Sequence, residues 1–330
     1  MLRIIPSSSR KLDRHSTRCA LLLSRIAKGT SPFVAVCRTV PIVAVETSIV
    51  LRPITAEDIQ QVARFLHERL NSRLSSEDWA SCIIPPWAGE FPNHGFMLTS
   101  GDEIVGANLA FYSVRIINGQ PEQFCNLGAL CVREDLRSHT FRLIRALLNQ
   151  RGYHFTDFSP SGNIVELDKR FGFRPLDTST AIKANFPWLP RRKVRLVTKL
   201  HQIEPLLTGH DREVFRDHRR ALAARHLLIV DGDEHCYLVF RKDRRKKVPA
   251  FASILYVGNN DLYRTAARHV SRHLLLKHGA LASLVELRVL QFKPSRARML
   301  SAPRPKMYKS NRLQETDIDY LYSELTCVPW

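Results

Sequence analysis

The chain has 330 residues, an apolar fraction of 44% and a formal net charge of +19. That length can bury a sizeable core and most naturally holds two domains, and the composition excludes wholesale disorder. No apolar run approaches the ~18–20 residues that span a bilayer.

The charge is unevenly spread. Residues 1–45 carry eight Lys/Arg against one acid, Asp13. They are expected to form a disordered basic segment outside the fold. Their composition fits an organellar transit peptide and equally a translation start placed too early. Further basic clusters lie at Arg191-Arg192-Lys193 and between Arg241 and Lys247. Such clusters are either solvated faces or a footprint for anionic partners. The seven cysteines are scattered without a Cys-x-x-Cys pair, which argues against a disulfide framework and a zinc site and fits a reducing, cytoplasmic setting. No metal is expected.

Ser48–Ile54 reads as a strand ended by Pro53. Thr55 with Asp58 forms an N-cap pair, and Ile59, Val62, Ala63, Leu66 and Leu70 repeat at helical spacing, so the pattern predicts a helix over 56–70. A second short helix starts at Ser75 and must break at Pro85-Pro86. Gly95–Thr99 and Ile104–Tyr112 flank a turn and read as a hairpin, and a second turn falls at 117–120. Cys125–Val132 is a buried strand followed by an Arg-rich helix start and the helical pattern Leu143, Ile144, Leu147, Leu148. A helix in that position is expected to present unpaired N–H groups to an anion. Asn163 then precedes Phe171-Gly172-Phe173.

Residues 193–330 repeat this order by pattern. The predictions are a strand at 194–198, a helix over Asp211–Arg225, a hairpin of 227–230 with 236–240, a strand at 251–257, a helix over 262–277 and a strand at 284–289. Asn185–Arg192 reads as the linker. The tail is expected to add a strand and a helix burying Ile318, Leu321, Tyr322 and Leu325.

The stretch Val132, Arg137, Asn163, Gly172-Phe173 resembles the GNAT family of acyl-CoA-dependent N-acyltransferases. Its pyrophosphate motif reads roughly V-x-x-x-x-R/Q-x-x-G-x-G/A. Val132 and Arg137 match it, whereas Thr140 and Arg142 stand where the glycines belong. The later motif matches at Asn163 and Gly172-Phe173, and Asp168 takes the place of a tyrosine found in many members.

The resemblance implies an α/β fold with a mixed sheet, here as two tandem acyltransferase-like domains (46–184 and 193–330), the second degenerate. It implies acyl transfer from acetyl-CoA or another acyl-CoA to an unidentified amine by direct attack. A bulged fourth strand would offer the amides of Leu130, Cys131 and Val132 to the thioester. Arg137, Ser138, His139, Thr140, Phe141 and Arg142 would hold the pyrophosphate, with Asn163 close by. Asn126, Glu134 and Asp168 are the candidates for proton transfer, with His94 and His218 as weaker ones. Two other readings stay open. One is a tRNA-dependent aminoacyltransferase, since doubled copies of this fold serve that reaction and the chain is basic. The other is a regulator that keeps the fold without the chemistry, which the absent glycines and tyrosine favour.

Overall fold

The computed structural model describes residues 48–189, 194–245 and 248–330. The basic segment 1–45 and the whole basic triplet at 191–193 lie outside those residues. Two mixed seven-stranded sheets form the frame.

The first sheet runs β1 (Ile49–Pro53), β2 (Gly95–Ser100), β3 (Glu103–Ile117), β4 (Gln120–Val132), β5 (Tyr153–Asp157), then β14 (Met307–Lys309) and β6 (Arg174–Pro175). Only β4 and β5 pair in parallel. The second sheet runs β13 (Arg298–Met299), β7 (Thr180–Ala184), β12 (Ala282–Glu286), β11 (Val248–Val257), β10 (Glu234–Arg245), β9 (Arg225–Asp231) and β8 (Arg195–Val197), with β11 and β12 the parallel pair. Read from β8, this order repeats the first sheet position by position. The sixth place of each sheet is filled by a strand from the other half: β14 in the first and β7 in the second. The expected boundary at residues 184–185 is therefore crossed by hydrogen-bonded strands.

The helices follow from their patterns. Asp58 accepts from the Thr55 backbone N–H at 2.9 Å and from Arg52 at 2.8 Å, and these partners hold its carboxyl well below the usual range. From this cap α1 (Ile59–Arg69) buries Ile59, Val62, Ala63, Phe65 and Leu66. Next, α2 (Ser76–Ile83), capped by Ser75, buries Trp79 and Cys82 against the same face. On the opposite face lie α3 (Thr140–Leu148) and α4 (Ile164–Arg170), which pack beside Tyr112, Cys125, Leu127 and Phe155. Around the second sheet lie α5 (Leu200–Ile203), α6 (Gly209–His218) and the long α7 (Asn260–His278), closed by Gly279 at a left-handed φ of 66°.

Three tail and second-half elements differ from expectation. The helix expected to reach Arg225 stops at His218, because the N–H groups of Ala223 and Ala224 donate instead to the Thr326 carbonyl at 3.0 and 3.1 Å. The strand expected to reach Val289 ends at Glu286. Leu287–Leu290 then form one helical turn (α8), stopped by Gln291 at a positive φ of 60°. In the tail the helical pieces are a 3₁₀ turn at Glu315–Asp317 and one α-helical turn, Glu324–Cys327 (α9), although Ile318, Leu321 and Leu325 are buried as the pattern requires. Cys125 and Cys236 are buried free thiols within strands, and Cys131 is half-buried.

The strand exchange generates a prediction. Residues 48–185 expressed alone lack β14, which leaves unpaired edges on β5 and β6. That fragment is expected to show no cooperative thermal transition by circular dichroism, while the full chain does. A cooperative, monomeric fragment would show that the exchange is dispensable.

Candidate active site

The pairing of β4 with β5 runs only from Gln123↔Tyr153 to Leu127↔Asp157. Beyond it β4 continues to Val132 with no partner on that side. At the same point β4 carries an extra residue against β3: Ala107 faces Cys131 and Leu109 faces Gly128. This is a β-bulge, and Ala129 sits in it at a φ of +51°, a left-handed conformation uncommon for alanine. The parted strands open into a cavity of about 1170 Å³.

Six of the residues expected to hold the donor line that cavity: Leu130, Cys131, Val132, Arg137, Thr140 and Asn163. Ser138, His139, Phe141 and Arg142 are not among its lining. Phe141 is exposed at 48%. Arg142 donates to His139 Nδ1 at 3.0 Å and to the Ile49 carbonyl at 3.1 Å, so its charge is turned back onto β1. Arg69 and Arg73, from the end of α1 and the turn after it, and Arg170 from α4 supply further positive charge around the opening. These three were not legible in the sequence, because nothing in it says that the α1–α2 turn and α4 converge on β4.

The approach to α3 is built from a 3₁₀ turn, Glu134–His139, that leads into Thr140. No side chain caps either segment. Its counterpart in the second sheet differs. There the Asn259 side chain accepts from the Leu262 N–H at 3.0 Å, capping α7, and the Asp211 carboxylate crowds Gly258 at the same tip. Tyr256 donates its hydroxyl to Asp211 at 2.6 Å. The first helix tip is thus open to an anion, while the second is filled by groups of the chain itself.

The residues expected to move protons are placed very differently from one another. Asn126 is fully buried; it donates to Thr156 Oγ1 at 3.1 Å and accepts from the Glu324 N–H at 2.9 Å. It tethers α9 to β4 and does not line the cavity. Glu134 is exposed on the 3₁₀ turn and pairs with Arg137 at 3.4 Å. His94 does not line the cavity either. His218 is a core residue: its Nδ1–H donates to the Val214 carbonyl at 2.9 Å and its Nε2 accepts from the Tyr322 N–H at 3.0 Å. Burial pushes it down to about 3, so it stays neutral.

Asp168 is also fully buried, and it belongs to a cluster. No N–H or O–H donor among the described residues reaches its carboxyl oxygens. Asp157 is the ionisable group that interacts with it, and burial pushes Asp168 up to about 7. Burial first, and then the charges of Asp168 and Glu324, push Asp157 well above the usual carboxylate range. Asp157 ends β5, accepts from the Ser159 N–H at 3.1 Å and lines the cavity where the strands part. Glu324, wholly buried, packs behind the bulge, with its Cβ 2.9 Å from where a side chain on Gly128 would begin. Burial pushes Glu324 up to about 7. Among the described residues no three His, Cys, Asp or Glu side chains are grouped as metal ligands would be. The signal missed in the sequence was Asp157 itself, a carboxylate closing an apolar strand.

No protein-family model matches the chain, and no curated protein matches it. Solved structures do. A GCN5-related N-acetyltransferase from Anabaena variabilis superposes with a TM-score of 0.52 at 14% identity, over 79% of this chain and 72% of that one. A conserved protein of Enterococcus faecalis gives 0.52 at 11% identity, over 82% and 74%. A GCN5-related glucosamine N-acetyltransferase region of a fungal multi-domain β-N-acetylglucosaminidase gives 0.53 at 12% identity, over 80% of this chain and 38% of that one. The chain therefore has the fold of the GCN5-related N-acetyltransferases, in an arrangement with two sheets. No helix among the described residues is long and apolar enough to cross a membrane.

The raised Glu324 carboxyl has a consequence for stability. Its pKa in the fold, about 7, exceeds the ordinary 4.5, so the folded chain binds the extra proton between these values and loses stability as pH rises through that window. Glu324→Gln keeps the shape without the charge. It is expected to raise the melting temperature at pH 8 by several degrees and to change it little at pH 5. Equal shifts at both pH values would remove the ionisable role of Glu324.

Proposed function

We propose that the chain is an acyl-CoA-dependent N-acyltransferase, moving an acetyl or longer acyl group to an amine. The observation that supports it is the parting of β4 from β5 at the Ala129 bulge, which opens a slot into the first cavity beside an uncapped helix approach.

In this reading the pantetheine arm enters between β4 and β5. Arg137, Thr140, Arg69 and Arg73 hold the pyrophosphate through charge-assisted and hydroxyl hydrogen bonds. The missing glycines restrict backbone contact, and arginines from three segments take up that task. The second helix tip, filled by Asn259 and Asp211, takes no donor, which fits a single donor site per chain.

The amine attacks the thioester carbonyl carbon. A C–N bond forms, and the carbonyl oxygen gains charge next to the backbone N–H groups of Leu130 to Val132. The C–S bond then breaks, and the proton lost by the amine passes to Asp157 and from it to the departing thiolate, so that coenzyme A leaves as its thiol. A carboxylate raised by burial and by Asp168 is closer to working pH than an ordinary one, as a general base requires.

Isothermal titration with acetyl-CoA and longer acyl-CoAs is expected to show binding. Arg69→Ala and Arg137→Ala should each weaken it by roughly 1–3 kcal/mol for the charged hydrogen bond lost. No heat with any acyl-CoA, or an unchanged dissociation constant in both variants, removes the donor site. Salt-sensitive binding of tRNA in place of acyl-CoA would instead assign the basic opening to an aminoacyl-tRNA donor.

Asp157→Asn should lower kcat by about 10²-fold or more without altering acyl-CoA affinity. In the native chain the acid limb of the kcat profile should lie above the ordinary carboxylate range. A limb near pH 4, or full activity in the variant, excludes Asp157 as the proton acceptor.

A further inference from the structure

A second cavity, of about 370 Å³, lies in the other sheet and shares Ser159, Pro160, Ser161 and Trp330 with the first. Its volume falls within the roughly 300–1,000 Å³ of small-molecule sites. It forms where β11 leaves β12: their pairing stops at Ile254↔Val285, and Leu255 is the extra residue of a bulge against β10.

Two cations of this cavity are paired with carboxylates, and the half-buried Arg245 donates to the Ala302 carbonyl at 2.9 Å. Lys306 donates to Glu286 at 2.6 Å, and Arg304 to Asp243 at 2.8 Å. Asp243 is further engaged by Ser253 at 2.7 Å and by the Arg244 N–H at 2.7 Å. Arg241, only 2% exposed, donates from Nη1 to the Leu325 carbonyl at 3.0 Å, while its buried Nη2 has no hydrogen-bond partner among the described residues; Asp243 and Glu324 act on its charge only through space. Arginine keeps its charge in such a place. A buried cation with a free donor lining a cavity is an unfilled anion site, since leaving it empty costs the full desolvation of that group.

We infer that this second cavity receives the acyl acceptor and that the acceptor is an amine bearing a carboxylate, held by Arg241. This rests on the acyl-transfer reading for the word acceptor, but the anion site stands on its own geometry. The shared wall of Ser159–Ser161 and Trp330 lets a molecule anchored at Arg241 extend its amine toward the first cavity. Phe158, Ile254, Leu255, Leu284 and Leu325 give the cavity an apolar wall, beside the polar Thr180, Ser253 and Arg245. The structure thus favours an amino acid with an apolar side chain.

The test is equilibrium binding to the full chain, with and without free coenzyme A, of L-leucine, L-phenylalanine and glycine, of the three carboxamides, and of O-phosphoethanolamine. Leucine and phenylalanine are expected to bind more tightly than glycine. Each carboxamide should bind on the order of 10- to 100-fold more weakly than its acid, the scale of one charge-assisted hydrogen bond. This comparison needs no variant.

Arg241→Gln should abolish the difference between acid and amide. Arg304→Gln, at the half-exposed rim, should reduce acid binding by freeing Asp243 to pair with Arg241; both variants are checked by thermal melting. Carboxamides that bind as well as acids, no binding by any amino acid, or tighter binding of O-phosphoethanolamine than of every amino acid would each overturn the assignment. No acyl donor is needed in these titrations. Amino-acid binding without acyl-CoA binding would therefore remove the proposed reaction and leave the carboxylate site. Acyl-CoA binding without amino-acid binding would do the reverse.

Discussion

One backbone irregularity organises the site: β4 takes one residue more than β3 allows, and from there it no longer reaches β5. A bulge disrupts its ladder and leaves backbone groups unpaired, so something must hold it in place. Asn126 does this from within the strand. Its amide binds Thr156 on β5 and the first N–H of α9 at once. Glycine at 128 then admits the Glu324 side chain against the strand, where a methyl group would meet it. The C-terminal segment is thus built into the back of the slot. A residue expected to act on protons turns out to fix the geometry in which protons would move.

The same constraint explains why buried carboxyls gather there. Asp157 closes β5 at the last paired position, so it stands where the sheet opens. Asp168 and Glu324 approach it from α4 and α9. Burial pushes all three toward their protonated forms, and the charges of Asp168 and Glu324 push Asp157 further the same way. Of the three only Asp157 lines the opening; Asp168 and Glu324 are buried behind it.

Sequence patterns revealed the frame more readily than the site. Helix α1 and its cap, the long strands and the repeated order of the second half all follow from local periodicity. The exchange of β7 and β14 does not, because a three-residue strand such as Met307–Lys309 has no periodicity of its own and its partners are over a hundred residues away. Within the site, Arg137 and Thr140 could be placed because they sit next to β4 in the chain. Arg69, Asp157 and Glu324 could not, since only the sheet's curvature and the return of the tail bring them together. Arg142 shows the limit of proximity in sequence: it lies in the motif, yet its guanidinium finds a carbonyl on β1.

The two halves share a topology but divide their charges in opposite ways. In the first sheet the helix tip is open, the mouth is cationic and the buried groups are acids. In the second sheet the helix tip is blocked by Asn259 and Asp211, and among the described residues a buried cation, Arg241, keeps one donor, Nη2, without a hydrogen-bond partner. Neither choice favours folding. A buried ion pair is often replaceable by apolar residues without loss of stability, and a lone buried charge is worse still. Arg241 is not within hydrogen-bond reach of Glu324, and a protonated Glu324 would not neutralise it. The two cavities share Ser159, Pro160, Ser161 and Trp330 in their lining, with Asp157 on one side of that wall and Arg241 on the other. An amino acid carries its carboxylate and its amine on one carbon, so a molecule held by Arg241 would keep its amine close to that anchor and would need the shared wall to be near it, which a simple amine without the carboxylate would not.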